Sequence, residues 1–74
     1  MYNLMIHLKN QEEITVNEFK ELTICQAGKS KTFNTDFSSI IIINSLTYNF
    51  KGSVQVSMNG SEISYLSLYE VKSD

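Results

Sequence analysis

The chain has no proline, no arginine and no tryptophan, and its 74 residues include one cysteine, one histidine and three glycines. A single cysteine, Cys25, leaves no intramolecular disulfide to support a small domain. Cys25 and His7 together fall short of the roughly four ligands that common zinc sites use, so no metal site is expected. Arginine supplies the bidentate fork that reads phosphate and guanine. Its absence, with eight carboxylates against six lysines, a net charge of -2 and a pI near 5.2, weighs against a nucleic-acid partner.

Long apolar runs are missing too. The longest is Ile40 to Ile43, far below the roughly 18 residues of a membrane span. The opening Met1 to Lys9 has neither a basic leader nor a long apolar stretch, so no secretory signal or membrane association is expected. A free cysteine suits a reducing compartment, and the cytoplasm is the expected location.

The chain has 42% hydrophobic and 19% charged residues, the balance of a folded domain. At this length it is a single domain, residues 1–74. Such a domain buries only about 60% of the surface its unfolded chain exposes, which makes self-association a natural further support.

Periodicity reads as β structure. Tyr2, Leu4, Ile6 and Leu8 alternate with Asn3, Met5 and His7, a half-buried strand. Lys9 to Glu12 reads as a turn into a second strand carrying Ile14 and Val16. Asn17 to Gln26 is ambiguous, because Val16, Phe19 and Leu22 are spaced as on a helix while Leu22-Thr23-Ile24-Cys25 favours a strand. A short helical turn near residues 17–20 followed by a strand from Glu21 to Gln26 reconciles the two. Ala27 to Ser30 then reverses the chain. Ile40 to Ile43 reads as a strand with apolar residues on both faces, either central or part of an interface. Leu46, Tyr48 and Phe50 share one face of the next strand. Asn59-Gly60, between Val54, Val56 and Met58 on one side and Ile63 and Tyr65 on the other, predicts a type I′ hairpin. Beyond it, Leu66 and Leu68 are out of phase with Ile63 and Tyr65, which requires a bulge near Tyr65 or cover on both sides. Lys72 to Asp74 should fray. The expected fold is all-β, a small antiparallel meander closing as a barrel or a sandwich, with an α+β arrangement as the alternative.

Chemical motifs are few. Gly28-Lys29-Ser30 matches the end of a phosphate-loop pattern, but Thr23 stands where the first glycine belongs. Cys25 and His7 would need the fold to bring them together as nucleophile and base. His7 falls on the polar face of its strand, where a solvated imidazole is expected. The carboxylates Glu12, Glu13, Glu18 and Glu21 read as a soluble surface, or as an acidic mimic of nucleic acid if all share one face. Asn59-Gly60-Ser61 is formally a glycosylation acceptor. No catalytic residue, cofactor or metal ligand is expected. The residues that stand out are apolar on strands with two apolar faces: Ile42, Tyr65, Leu66, Leu68 and Tyr69 form the candidate protein-contact surface.

Met5-Ile6-His7-Leu8-Lys9-Asn10 with Ile14-Thr15-Val16, Thr47 to Gly52, Asn59-Gly60 and Ile63 to Leu66 together resemble small uncharacterised proteins encoded by phages and prophages of low-GC Gram-positive bacteria. The resemblance implies an accessory or regulatory context, with the cytoplasm being that of the host cell if the chain is phage-encoded, and carries no functional residues. The expectation is a non-enzymatic protein-interaction module. A structural subunit that forms a homo-oligomer or decorates a larger particle is the alternative.

Overall fold

The computed structural model describes residues 1–34, 37 and 40–72. Its strands are β1 (Tyr2–Leu8), β2 (Glu13–Val16), β3 (Glu21–Gln26), β4 (Lys29–Phe33), β5 (Thr47–Lys51), β6 (Gln55–Asn59) and β7 (Ile63–Glu70). They form two antiparallel sheets, one in the order β2-β1-β7 and the other β4-β3-β5-β6. Of the two expected closures the chain adopts the sandwich, since the sheets are separate ladders and do not join into a barrel. No α-helix occurs among the described residues, so the helical reading of Asn17 to Gln26 gives way to the strand. Asp36, Ser73 and Asp74 lie outside the described residues.

The alternation of β1 is what its partners read. Leu4 and Ile6 are buried and face inward, with Val16 of β2 and Ile63 of β7 on the same side. The other sheet contributes Leu22, Tyr48 and Phe50, all essentially buried. Phe19, in the crossing from β2 to β3, and Leu46, just before β5, fill the remaining core. Each such side chain contributes about 1.5–3 kcal/mol by leaving water. Hairpins β1-β2, β3-β4 and β5-β6 join neighbours in sequence, whereas β1-β7 and β3-β5 pair distant segments.

The crossing from β2 to β3 is a tight turn. Glu18 takes a positive φ of 53°, and its N–H donates to the Asn3 side-chain oxygen at 3.2 Å. The Ser53 N–H donates to the Asn17 carbonyl at 2.8 Å, tying the turn to the β5-β6 loop.

Two positions depart from the expectations above. The first is Ile40 to Ile43, which forms no strand. The Tyr48 hydroxyl takes up its backbone polar groups, accepting from the Ile43 N–H and donating to the Ile41 carbonyl, each at 2.7 Å. Ile40 and Ile42 are half-buried against the core, and Ile41 and Ile43 point to solvent.

The second is Asn59-Gly60, which is not a type I′ turn. Asn59 has φ -84° and ψ 143°, and its side chain accepts from the Ser61 N–H at 2.9 Å, capping a single 3-10 turn at Gly60–Glu62. That turn carries the chain out of one sheet and into the other, so β6 pairs with β5 and β7 pairs with β1. Met58 therefore lies opposite Tyr48 and Val56 opposite Phe50, and β6 and β7 do not pair as the two arms of a hairpin. Gly60 is needed for close approach: a Cβ there would run into the Ile43 carbonyl oxygen and come within 2.8 Å of Tyr48 Cε1. The turn with two positive φ angles is Ala27-Gly28, at 45° and 82°, between β3 and β4.

The two turns should therefore respond oppositely to substitution. Gly60→Ala is expected to cost about 2 kcal/mol or more, because its methyl group meets backbone. Ala27→Asn is expected to gain about 0.5 kcal/mol, because asparagine tolerates the left-handed region better than alanine. Urea unfolding monitored by far-ultraviolet circular dichroism checks both, and a neutral Gly60→Ala would contradict the crowded corner.

Candidate functional site

The outer faces of the two sheets differ in character. On the four-stranded sheet, Glu21, Thr23 and Cys25 of β3 lie beside Lys51, Asn49 and Thr47 of β5, with Gln55 and Ser57 of β6 beyond. That face is polar throughout. On the three-stranded sheet, Glu13 and Thr15 of β2 flank His7 and Met5 of β1, and these flank Tyr65 and Ser67 of β7. Tyr69, opposite Asn3, extends this face.

His7 sits at the centre of the second surface. Its ring stacks on Tyr65 with centroids 3.9 Å apart and planes 11° from parallel. Nε2 lies 2.9 Å from the Ser67 hydroxyl oxygen, and Nδ1 lies 3.6 Å from Glu13 Oε1. The side chain is only 14% exposed, so the imidazole is not solvated as its place on a polar strand face suggested. Cross-strand cover from Tyr65 and Glu13 accounts for the difference, because directly opposed residues on a sheet are close neighbours.

Glu13, His7 and Ser67 stand in acid–base–hydroxyl order. A serine nucleophile also needs N–H donors aimed at the developing oxyanion. Ser67 is opposite Met5 and turns its own N–H into the ladder with β1. Glu13 is 54% exposed, which leaves its attraction for the ring weak. What the arrangement does is order the imidazole across three strands. Cys25 takes no part in it: it lies on the outer face of the opposite sheet, half-buried, with Asn49 Nδ2 3.4 Å from its sulfur.

The remaining sequence candidates separate in space. Glu12 and Glu13 lie at the β1-β2 turn and Glu18 beyond the far end of β2, while Glu21 is on the other sheet, 4.0 Å from Lys51 Nζ. The acids do not gather on one face. Lys29 and Ser30 are in β4, and no helix begins there. Among the described residues no group of three or more His, Cys, Asp or Glu is placed to hold a metal, and no helix is long and apolar enough to cross a membrane. A cavity of about 80 Å³ between the sheets, lined by Leu4, Phe19, Phe37, Ile40 and Leu66 among others, is apolar. It is well below the roughly 300 Å³ at which small-molecule sites begin.

Four of the five proposed contact residues are on β7. The ladder slips between His7 and Leu8, where Tyr65 and Ile63 are the partners and Ser64 is the extra residue of a bulge. The bulge resolves the phase conflict read in the sequence. Ile63, Leu66 and Leu68 all face inward, and Tyr65 and Tyr69 face outward. Tyr65 is 56% exposed, Tyr69 52% and Leu68 37%. Ile42, the fifth, is not on β7 and packs, half-buried, against the core cluster.

β7 is also an edge. Backbone bonds alternate along β1: Leu8 N–H donates to the Glu12 carbonyl and the Tyr2 carbonyl accepts from Phe19, both toward β2. Lys9 N–H donates to Glu62 and the Met1 carbonyl accepts from Val71, both toward β7. Odd-numbered β1 residues thus bond β7. Their partners Tyr65, Ser67 and Tyr69 spend their N–H and C=O groups on β1. Leu66, Leu68 and Glu70 direct theirs to the open edge, and among the described residues no backbone bond reaches them from that side. The pairing of β7 with β1, and with it this edge, left no local signal in the sequence.

No family model, curated protein or solved structure matches the chain.

A double-mutant cycle tests the ordered imidazole. Single His7→Ala and Tyr65→Ala substitutions should each destabilise the fold, with a coupling of about 1 kcal/mol between them. Additive losses in urea unfolding would mean that the stack contributes nothing.

Proposed function

We propose that the chain is a non-enzymatic protein-interaction domain whose contact surface is β7. The observation that carries this reading is the open edge of an eight-residue strand, along which Tyr65 and Tyr69 on the outer face keep just over half of their surface in water and Leu68 on the inner face more than a third. Extended segments dock on such edges through main-chain hydrogen bonds, and flanking aromatic side chains supply much of the contact energy. The other edges are less suited. β2 has four residues, β4 carries Lys29 and Lys31, and β6 has five residues and ends in the Gly60 corner. Short length and lysine are the usual protections of an edge strand. The resemblance of the strand and turn residues to small phage and prophage proteins gives the domain the setting of an accessory or regulatory protein.

Site-specific photocrosslinking in cells of the source organism tests this reading. With Tyr69 replaced by benzoylphenylalanine, irradiation should yield a discrete covalent protein adduct. The same replacement at Val54, an equally exposed apolar position in the β5-β6 loop, should yield none. Identical products at the two positions, or no adduct at Tyr69, would overturn it.

A further inference from the structure

We infer that Ile40 to Ile43 is a strap that can add to β7 as a fourth strand of the three-stranded sheet, closing in cis the edge that a partner would use. The strap is undocked in the structure, so the closed form is the less populated arrangement, and the chain carries its own competitor for the contact surface. The inference rests on the protein-interaction reading and adds its regulation.

Position is the first constraint. Phe37 packs edge-on against Tyr2, the β1 partner of Glu70, with ring centroids 6.4 Å apart. Ile40 lines the apolar cavity together with Leu66 and Leu68. The Ile43 carbonyl lies against Gly60, in the turn that leads into β7. These contacts follow β7 from its end to its start, so the segment runs antiparallel to it.

Backbone direction is the second. Successive residues of an extended chain turn their N–H and C=O groups to opposite sides. The Tyr48 hydroxyl holds odd-numbered groups of the strap, the Ile43 N–H and the Ile41 carbonyl. The Ile42 N–H and carbonyl belong to the other side, and among the described residues no backbone bond reaches them. β7 likewise turns Leu66 and Leu68 to its edge. Even residues therefore pair with even ones, and the Tyr48 bonds need not break.

The side chains set the register. Ile40 and Ile42 are half-buried, whereas Ile41 and Ile43 are exposed. Placing Ile42 opposite Leu66 puts Ile40 opposite Leu68, inward residues against inward ones. Ile41 then faces Ser67 and Ile43 faces Tyr65 on the outer side. All four pairs lie in the regular part of β7, beyond the Ser64 bulge. A shift of two residues one way sets Ile42 against that bulge, and the other way sets Ile40 against Glu70. Four consecutive isoleucines have the strand propensity that such an addition needs.

Disulfide trapping in the full chain tests the inference. Residues 41 and 67 would form a non-hydrogen-bonded pair with Cα atoms about 4.5 Å apart, within disulfide range. Ile41 is 70% exposed, so its replacement leaves the core intact. In a Cys25→Ser background, Ile41→Cys with Ser67→Cys should form an intramolecular disulfide in diamide roughly tenfold faster than two control pairs. The controls are Ile41→Cys with Ser57→Cys on β6, and Ser67→Cys with Val54→Cys. In the oxidised chain the Leu66 and Leu68 amides should exchange roughly tenfold more slowly than in the reduced chain, because pairing and not proximity alone protects them.

Oxidation no faster than in the control pairs, or a disulfide that leaves Leu66 and Leu68 exchanging as before, overturns the strap. The interaction reading is judged separately, by the photoadduct at Tyr69. It stands if that adduct forms while the trapping fails, and it falls if the strap is trapped and the reduced chain forms no adduct. Where both hold, the disulfide should abolish the adduct in lysate of the source organism and reduction should restore it. An adduct indifferent to the disulfide overturns the competition between strap and partner.

Discussion

Gly60 lies against the Ile43 carbonyl and the edge of the Tyr48 ring, and its N–H donates to the Leu46 carbonyl at 2.8 Å. Everything after β6 depends on that approach. It allows the chain to turn within three residues from the edge of one sheet to the edge of the other. The Tyr48 hydroxyl completes the corner by accepting from the Ile43 N–H and donating to the Ile41 carbonyl. Four consecutive isoleucines that would otherwise compete as a strand are thereby held as an irregular segment, with Ile40 and Ile42 serving the core. A side chain at position 60 would separate these contacts, and a phenylalanine at 48 would leave backbone groups without partners at a cost of about 1–3 kcal/mol each.

The corner determines where β7 runs. Delivered beside β1, the strand must present Ile63 to the core and also Leu66 and Leu68, which lie three and five residues further on. The Ser64 bulge makes both possible. It also sends Tyr65 outward onto His7, where the stack and the Ser67 hydroxyl fix the ring across the sheet. The strand that results is long and apolar on both faces, and it has a row of backbone groups turned away from β1. In a domain too small to build a large core, pairing that row extends the sheet without any new element.

Local patterns foretold local structure. The alternation of Tyr2 to Leu8, the turn at Lys9 to Glu12, the strand at Glu21 to Gln26 and the shared face of Leu46, Tyr48 and Phe50 all appear as read, because each follows from side-chain period alone. The misreadings occur where a distant contact outweighs a local preference. Asn59-Gly60 has the best type I′ sequence in the chain, yet its glycine is used for a close approach to residues 43 and 48, and Ala27-Gly28 makes the turn instead. Ile40 to Ile43 has high strand propensity, but a buried tyrosine takes its hydrogen bonds. The candidate surface was legible in part. The mixed phase of Tyr65 to Tyr69 marked the strand, but its place at an edge depends on the pairing of β7 with β1, some sixty residues apart in sequence, which no local pattern encodes. Ile42 carries a doubly apolar signal of the same kind, and packing against the core accounts for it.

Residue-resolved amide exchange on β7 tests the open edge most directly. Tyr65, Ser67 and Tyr69, bonded to β1, should be protected. Leu66 and Leu68, turned to the edge, should exchange much faster. Protection of Leu66 and Leu68 equal to that of Tyr65 and Ser67 in the dilute chain would contradict it.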